Sequence, residues 1–155
     1  CRTYATNGHL LEHREMLTDY FRDGLDGGQK ITGEQLWDAY SRLEFYRHYV
    51  QEFFKSYDLL LTPTLATPAF KVGEHPDVIG GVTVPDKLWG FTPFTYPFNM
   101  CGNPAATAPA GFSNDGLPIG LHIVGRWGDE ETVLAASKSF EDARPWADKK
   151  PAGFE

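Results

Sequence analysis

Two histidines, a glutamate and two cysteines are the side chains whose types and spacing first suggest chemistry. His9-Leu10-Leu11-Glu12-His13 has the H-x-x-E-H spacing of the inverted zinc peptidase pattern. On a helix, His9 and His13 would share one face, with Glu12 as general base. A zinc centre needs a third protein ligand, and none announces itself further along, so the pattern equally describes a solvated helix face. The expectation is that His9 and His13 hold no metal. Cys1 offers a second route: an N-terminal cysteine can act as nucleophile with its own α-amine as base, which would make an amide hydrolase of an unrelated fold. Cys101 has no base near it in sequence and reads as a small packed thiol. His48, His75 and His122 have no motif context.

The elements that must carry these residues are uneven in clarity. Leu10, Leu17, Tyr20 and Phe21 fall near helical spacing, which predicts a helix capped at Thr6 or Asn7 and stopped by Gly24, with Gly27-Gly28 as a flexible loop. Thr32-Gly33-Glu34-Gln35 is a capping box, with Ile31 and Leu36 placed as its hydrophobic staple. Leu36, Tyr40, Leu43, Val50 and Phe54 then form the apolar stripe of a second helix ending near Ser56. Leu59-Leu60-Leu61 lacks alternation, which predicts a short strand buried on both faces. Prolines at 63, 68, 76, 85, 93 and 97 argue against regular elements of useful length from 63 to 98, with a turn at Gly80-Gly81.

From 105 to 125 the pattern is sharper. Asn114-Asp115-Gly116 is a turn signal between runs 105–111 and 118–125, which predicts paired neighbouring strands. Ile119, Leu121 and Ile123 would share one strand face, with His122 on the other as a packed histidine. Asp129 is an N-cap, with Glu130 and Glu131 in the first turn of a helix to about Phe140 that carries Val133, Ala136 and Phe140 inward. The tail from Pro145 reads as frayed. A helix leading directly into a buried strand points to an α/β layer arrangement.

The balance of 14 Lys and Arg against 21 Asp and Glu, a net charge of −7, disfavours nucleic acid as a direct partner. The two cysteines lie too far apart for a disulfide framework or a metal knuckle. No apolar run approaches a membrane span, so no membrane contact is expected, and the cytoplasm is the default location. The chain begins with Cys1 rather than Met, which suggests a fragment or a processed chain.

Asp58-Leu-Leu-Leu-Thr-Pro-Thr, Pro97-Phe-Asn, Gly102-Asn-Pro-Ala, Ala108-Pro-Ala-Gly and Gly116-Leu-Pro-Ile-Gly-Leu-His-Ile-Val-Gly occur in this order. Together they resemble the C-terminal part of amidase signature hydrolases, well from Tyr57 to Phe140 and more loosely before. The resemblance implies part of a mixed central β-sheet flanked by helices, and hydrolysis of a carboxamide without metal or organic cofactor. In that family a serine nucleophile, a bridging cis-serine and a lysine base do the chemistry, because a serine hydroxyl attacks poorly until a base takes its proton. A glycine-rich loop supplies donors to the oxyanion. None of Ser41, Ser56, Ser113, Ser137 and Ser139 lies in a Gly-Ser-Ser context. The implied catalytic residues therefore lie upstream, and residues 1–155 would be the C-terminal part of a single amidase domain.

On this reading the chain's partners are a small-molecule amide and the upstream half of the same protein, and the chain alone would be silent and marginally stable. Asn99 and the Gly102-Asn103-Pro104 turn match positions that support the core near the pocket, although Asn99 could simply satisfy loop backbone groups. Trp89, Phe91 and Phe94, in the aromatic run that ends at Phe98, could line an acyl or aryl pocket or fill a satellite core. The Arg-Tyr-Asp-Gly stretch associated with the A component of glutamyl-tRNA amidotransferases is missing, which favours a stand-alone amidase. The rival from another class is a catalytically empty binding or scaffold module on the same fold.

Overall fold

The computed structural model describes residues 1–84, 86 and 89–150. The chain divides into two compact units, Cys1–Phe45 and Tyr46–Glu155.

In the first unit, helix α1 (Arg2–Asn7) leads into a 3-10 segment (Gly8–Met16), and helix α2 (Asp19–Gln29) follows. The single helix expected from Thr6 or Asn7 to Gly24 is therefore broken twice. Leu17 is extended, at φ −94° and ψ 144°, so the chain turns before α2 begins. Gly24, Gly27 and Gly28 all lie inside α2 rather than at its end or in a loop. Gly28 is buried because α1 packs there: a Cβ at Gly28 would sit 2.8 Å from Tyr4 Cβ and 3.1 Å from the Cys1 nitrogen. The glycine is used for close approach of two helices, not for a turn. The Arg14 guanidinium grips both Asp26 carboxylate oxygens at 2.9 and 2.7 Å, which holds the Asp26 carboxyl below its usual range. The Thr32 capping box forms as the sequence predicts: Gln35 N–H donates to Thr32 Oγ1 at 3.2 Å, and Thr32 N–H donates to Gln35 Oε1 at 3.0 Å. It opens helix α3 (Gly33–Phe53). Tyr40, expected on the apolar stripe, is 53% exposed.

The C-terminal part of α3, from Tyr46 onward, belongs to the second unit. Strand β1 (Leu59–Pro63) follows it, and the short strands β2 (Val78–Ile79) and β3 (Val82–Thr83) come next. Helix α4 (Tyr96–Cys101) precedes the hairpin of β4 (Ala105–Phe112) and β5 (Pro118–Gly125), and helix α5 (Glu130–Ala143) closes the unit. Strands β1, β5 and β4 form one antiparallel sheet, in that order. Helix α5 covers one face, burying Val133 against Ile123 and Ala108, with Ala136 and Phe140 packed around them. Val124, on the opposite face, packs with Val50 and Phe54 of the α3 end and with Phe98 of α4. The α/β reading thus holds, with helices on both faces of the sheet.

The strand buried on both faces is β5, not β1. Ile123 and Val124 are adjacent residues pointing to opposite faces, and they are 1% and 0% exposed. In β1, paired only with β5 among the described strands, Leu59 and Leu60 are half-buried and Leu61 is 56% exposed. An unbroken apolar run identified a strand that could be covered on both sides; it did not identify which strand is.

The hairpin forms as expected, with Ala105 opposite Val124 and Phe112 opposite Pro118. Its turn is closed by Ser113 N–H donating to Leu117 O at 2.8 Å and by Gly116, at φ 77°. Asp129 caps α5, its side chain accepting from Thr132 N–H at 3.3 Å. The segment 63–98 holds more structure than its prolines imply. Strands β2 and β3 pair across Gly80-Gly81, whose φ values of 57° and 81° suit a tight hairpin turn. Helix α4 starts inside this segment because Pro97 falls in its first turn, where a missing N–H costs nothing. Among the described residues, no helix is long and apolar enough to cross a membrane.

Candidate functional site

The sheet is closed at one end and open at the other. At the closed end, Gly102 ends α4 at φ 76°, Asn103 Nδ2 donates to Gly125 O at 2.8 Å, and Gly125 N–H donates to Pro104 O at 3.0 Å. Arg126 ties the same end to the start of β1: its Nε donates to Phe54 O at 3.0 Å and its guanidinium pairs with Asp58 at 2.5 Å. The Gly102-Asn103-Pro104 turn is therefore a brace between α4 and the central strand.

At the open end the β1 pairing continues past Pro63, with Thr64 N–H donating to Gly120 O at 2.9 Å. Gly120 carries no side chain, so the hydroxyls of Thr64 and Thr107 meet over it and hydrogen-bond to each other. A Cβ at Gly120 would lie 2.5 Å from one hydroxyl oxygen and 2.6 Å from the other. These residues form part of the lining of a groove of 840 Å³ between the segment 63–69 and the hairpin. Leu65, Phe94, Ile119 and Trp146 supply its apolar walls. Trp146 lies in the tail expected to fray; instead it lines this groove and a neighbouring one of 710 Å³, which also takes in Arg144, Lys149 and Lys150.

The four residues expected to bind substrate fall in different places. Phe94 lines the groove. Phe91 stands behind it: its carbonyl accepts from Ala66 N–H at 3.1 Å, and its ring packs edge-on to Phe70 at 5.0 Å, with His75 beside them. It thus positions the 63–69 wall from a satellite cluster. Trp89 is 51% exposed; its N–H donates to Asp86 Oδ1 at 3.2 Å and its carbonyl accepts from Thr92 Oγ1 at 2.6 Å. Asn99 is an exposed residue of α4 and is not among the groove lining. Thr64, Thr107, Ile119 and Trp146 escaped the sequence reading. Gly120 within a β-rich run was the available signal, because an interior strand glycine marks close approach of other groups.

The other candidate chemistry resolves by geometry. His9 and His13 lie in the 3-10 segment, and His13 leaves helical geometry at φ −121° and ψ 47°, so the shared helix face that the zinc pattern requires does not form. No group of three metal-ligating side chains occurs among the described residues. Cys101 is half-buried against the Val124 cluster, and burial pushes its thiol up, away from the reactive thiolate. His122 is 4% exposed, with Nδ1 at 3.1 Å from Thr62 Oγ1 and the Phe98 ring 5.8 Å away. Burial pushes its imidazole below the ordinary value, so it is held neutral, as a packed histidine should be.

Comparison with known proteins places this architecture. The model of the Amidase family matches residues 12–134. The chain is 35% identical to an acylamidase of Rhodococcus erythropolis over 96% of its own length and 32% of the relative's. It is 43% identical to the A component of the glutamyl-tRNA(Gln) amidotransferase of Brevibacillus brevis, over 66% of its length and 20% of the relative's. Among solved structures, a bacterial aryl acylamidase of the amidase signature enzymes superposes with a TM-score of 0.80 at 32% identity, covering 94% of this chain and 32% of that one. The chain belongs to the amidase family. It spans about a third of the length of the acylamidase it matches. That membership sets aside the unrelated fold that a Cys1 nucleophile would imply.

Proposed function

We propose that this chain is the C-terminal part of an amidase domain, and that the complete protein hydrolyses a carboxamide to a carboxylate and an amine or ammonia. The nucleophile, its base and the oxyanion donors come from upstream sequence; this chain contributes the β1-β5-β4 sheet and one wall of the substrate pocket. The observation that carries the reading is the open end of that sheet, where Phe94 and Trp146 wall a groove directly beside the braced central strand. Phe91 acts from behind that wall through its bond to Ala66, while Trp89 and Asn99 stand outside the groove lining. A stand-alone amidase is favoured over a component of an amidotransferase because the sequence likeness to the acylamidase runs through nearly the whole chain, whereas the sequence likeness to the amidotransferase covers two-thirds of it.

The test is to purify the native polypeptide that carries this chain and follow amine release from aryl and aliphatic amides. Turnover with KM raised by Phe94→Ala, in protein that still folds, is the expected result. No turnover of any amide, in protein whose upstream sequence lacks a lysine and a Gly-Ser-Ser stretch, would replace the enzyme reading by a binding module.

A further inference from the structure

His122 is buried beside the groove without lining it. Thr62 stands opposite it on β1, with its hydroxyl oxygen 3.1 Å from Nδ1 of the imidazole. That hydroxyl has one hydrogen, and it donates it to Pro63 O at 3.0 Å. Toward His122 the Thr62 oxygen can then only accept, so the hydrogen between the two side chains sits on Nδ1. The receiving carbonyl has no donor in β5. Thr64 N–H donates to Gly120 O, which makes those two a hydrogen-bonded pair. Such pairs alternate along an antiparallel ladder, so Pro63, opposite Leu121, falls in a pair without backbone bonds. The side chains of His122 and Thr62 supply what the ladder does not, at the point where β1 passes into the 63–69 wall.

We propose that His122 is a positioning residue: its Nδ1–H holds the Thr62 hydroxyl on the Pro63 carbonyl and so fixes the start of the 63–69 wall. That this wall then shapes amide binding rests on the amidase reading above. The imidazole is 4% exposed, so bulk water does not compete for its bond to Thr62. Two backbone bonds beyond Pro63 report on the wall: Thr64 N–H to Gly120 O at 2.9 Å and Ala66 N–H to Phe91 O at 3.1 Å.

The experiment uses the native polypeptide labelled with 15N-histidine. Long-range proton–nitrogen spectra at neutral pH should show Nδ1 of His122 protonated and Nε2 bare; the opposite tautomer would overturn the proposal. Asn places an amide nitrogen where Nδ1 stood, whereas Gln places one where Nε2 stood. Amide hydrogen exchange at Thr64 and Ala66, measured relative to Ile123 in the sealed core, should quicken about fivefold or more in His122→Gln and in Thr62→Val, and return to within about twofold in His122→Asn. The double variant should exchange no faster than either single one. Equal rates in the Gln and Asn variants, or Thr62→Val without effect, would overturn the proposal and leave His122 as packing alone. If His122→Gln does not fold, the tautomer and Thr62→Val still decide. Phenylacetone, an isostere of acetanilide with no C–N bond to cleave, should bind about threefold or more weakly to Thr62→Val. Acetanilide turnover is scored separately. Turnover with the opposite tautomer leaves the amidase reading standing and sinks the role of His122; the expected tautomer and exchange pattern without turnover do the reverse.

Discussion

The two ends of β5 are built for opposite purposes from the same strand geometry. At its C-terminal end, Ile123 and Val124 are sealed between α5 on one face and α3 and α4 on the other, and Asn103 and Arg126 pin the backbone around them. At its N-terminal end, Ile119 is 40% exposed, and Gly120 leaves room for two threonine hydroxyls beside an open groove. Eight residues therefore pass from a core that resists change to a surface that can be varied. A sealed core and an open groove are separated along one strand, because what differs is the cover on each face rather than the pairing beneath it.

Substitutions along β5 should separate the two ends in a graded way. Ile123→Ala removes a side chain that is 1% exposed and should cost about 2–5 kcal/mol, read as a lowered denaturation midpoint of the native polypeptide. Gly125→Ala is next: its Cβ would meet Val133 Cγ2 at 2.5 Å and Asp129 O at 3.3 Å, so α5 must shift, at about 1–3 kcal/mol. His122, between the two ends, gives a pH signature. Its folded pKa is depressed, so as pH falls below about 6.5 the unfolded chain takes up the proton first. Stability should fall with decreasing pH by up to about 1.4 kcal/mol per unit until the folded state also protonates, with no contribution above that window. Comparison with His122→Gln in urea melts from pH 7 to 5 isolates this slope; parallel curves would show that His122 is not held neutral. Ile119→Ala should have the smallest effect on stability, within about 0.5 kcal/mol, while changing KM for aryl amides. A large stability loss there would mean that the open end is also structural.

What was legible in the sequence was local. The Thr32-Gln35 box, the turn at Asn114-Asp115-Gly116 and the Asp129 cap each place their own hydrogen bonds within a few residues, and each formed. What was not legible depends on partners distant in sequence. Leu59-Leu60-Leu61 is an unbroken apolar run and Ile119–Val124 is interrupted by Gly120 and His122, yet the placement of β5 between β1 and β4 makes the second the strand buried on both faces. Gly28 reads as a loop residue until Tyr4 is seen to pack against it. The groove is assembled from residues 63–69, 94, 107–109, 118–120 and 146, so no single stretch announces it. Aromatic density pointed to Trp89, Phe91 and Phe94 alike, yet only Phe94 lines the groove, because the ring of Phe91 is taken up by Phe70.

The most direct test of the groove as a substrate wall is a crystal structure of the native polypeptide with phenylacetone bound. The phenyl ring is expected in the groove among Phe94, Ile119 and Trp146, with the ketone oxygen turned toward the catalytic groups proposed to lie in upstream sequence. A ring bound elsewhere, with another segment of the polypeptide filling this groove, would contradict that role.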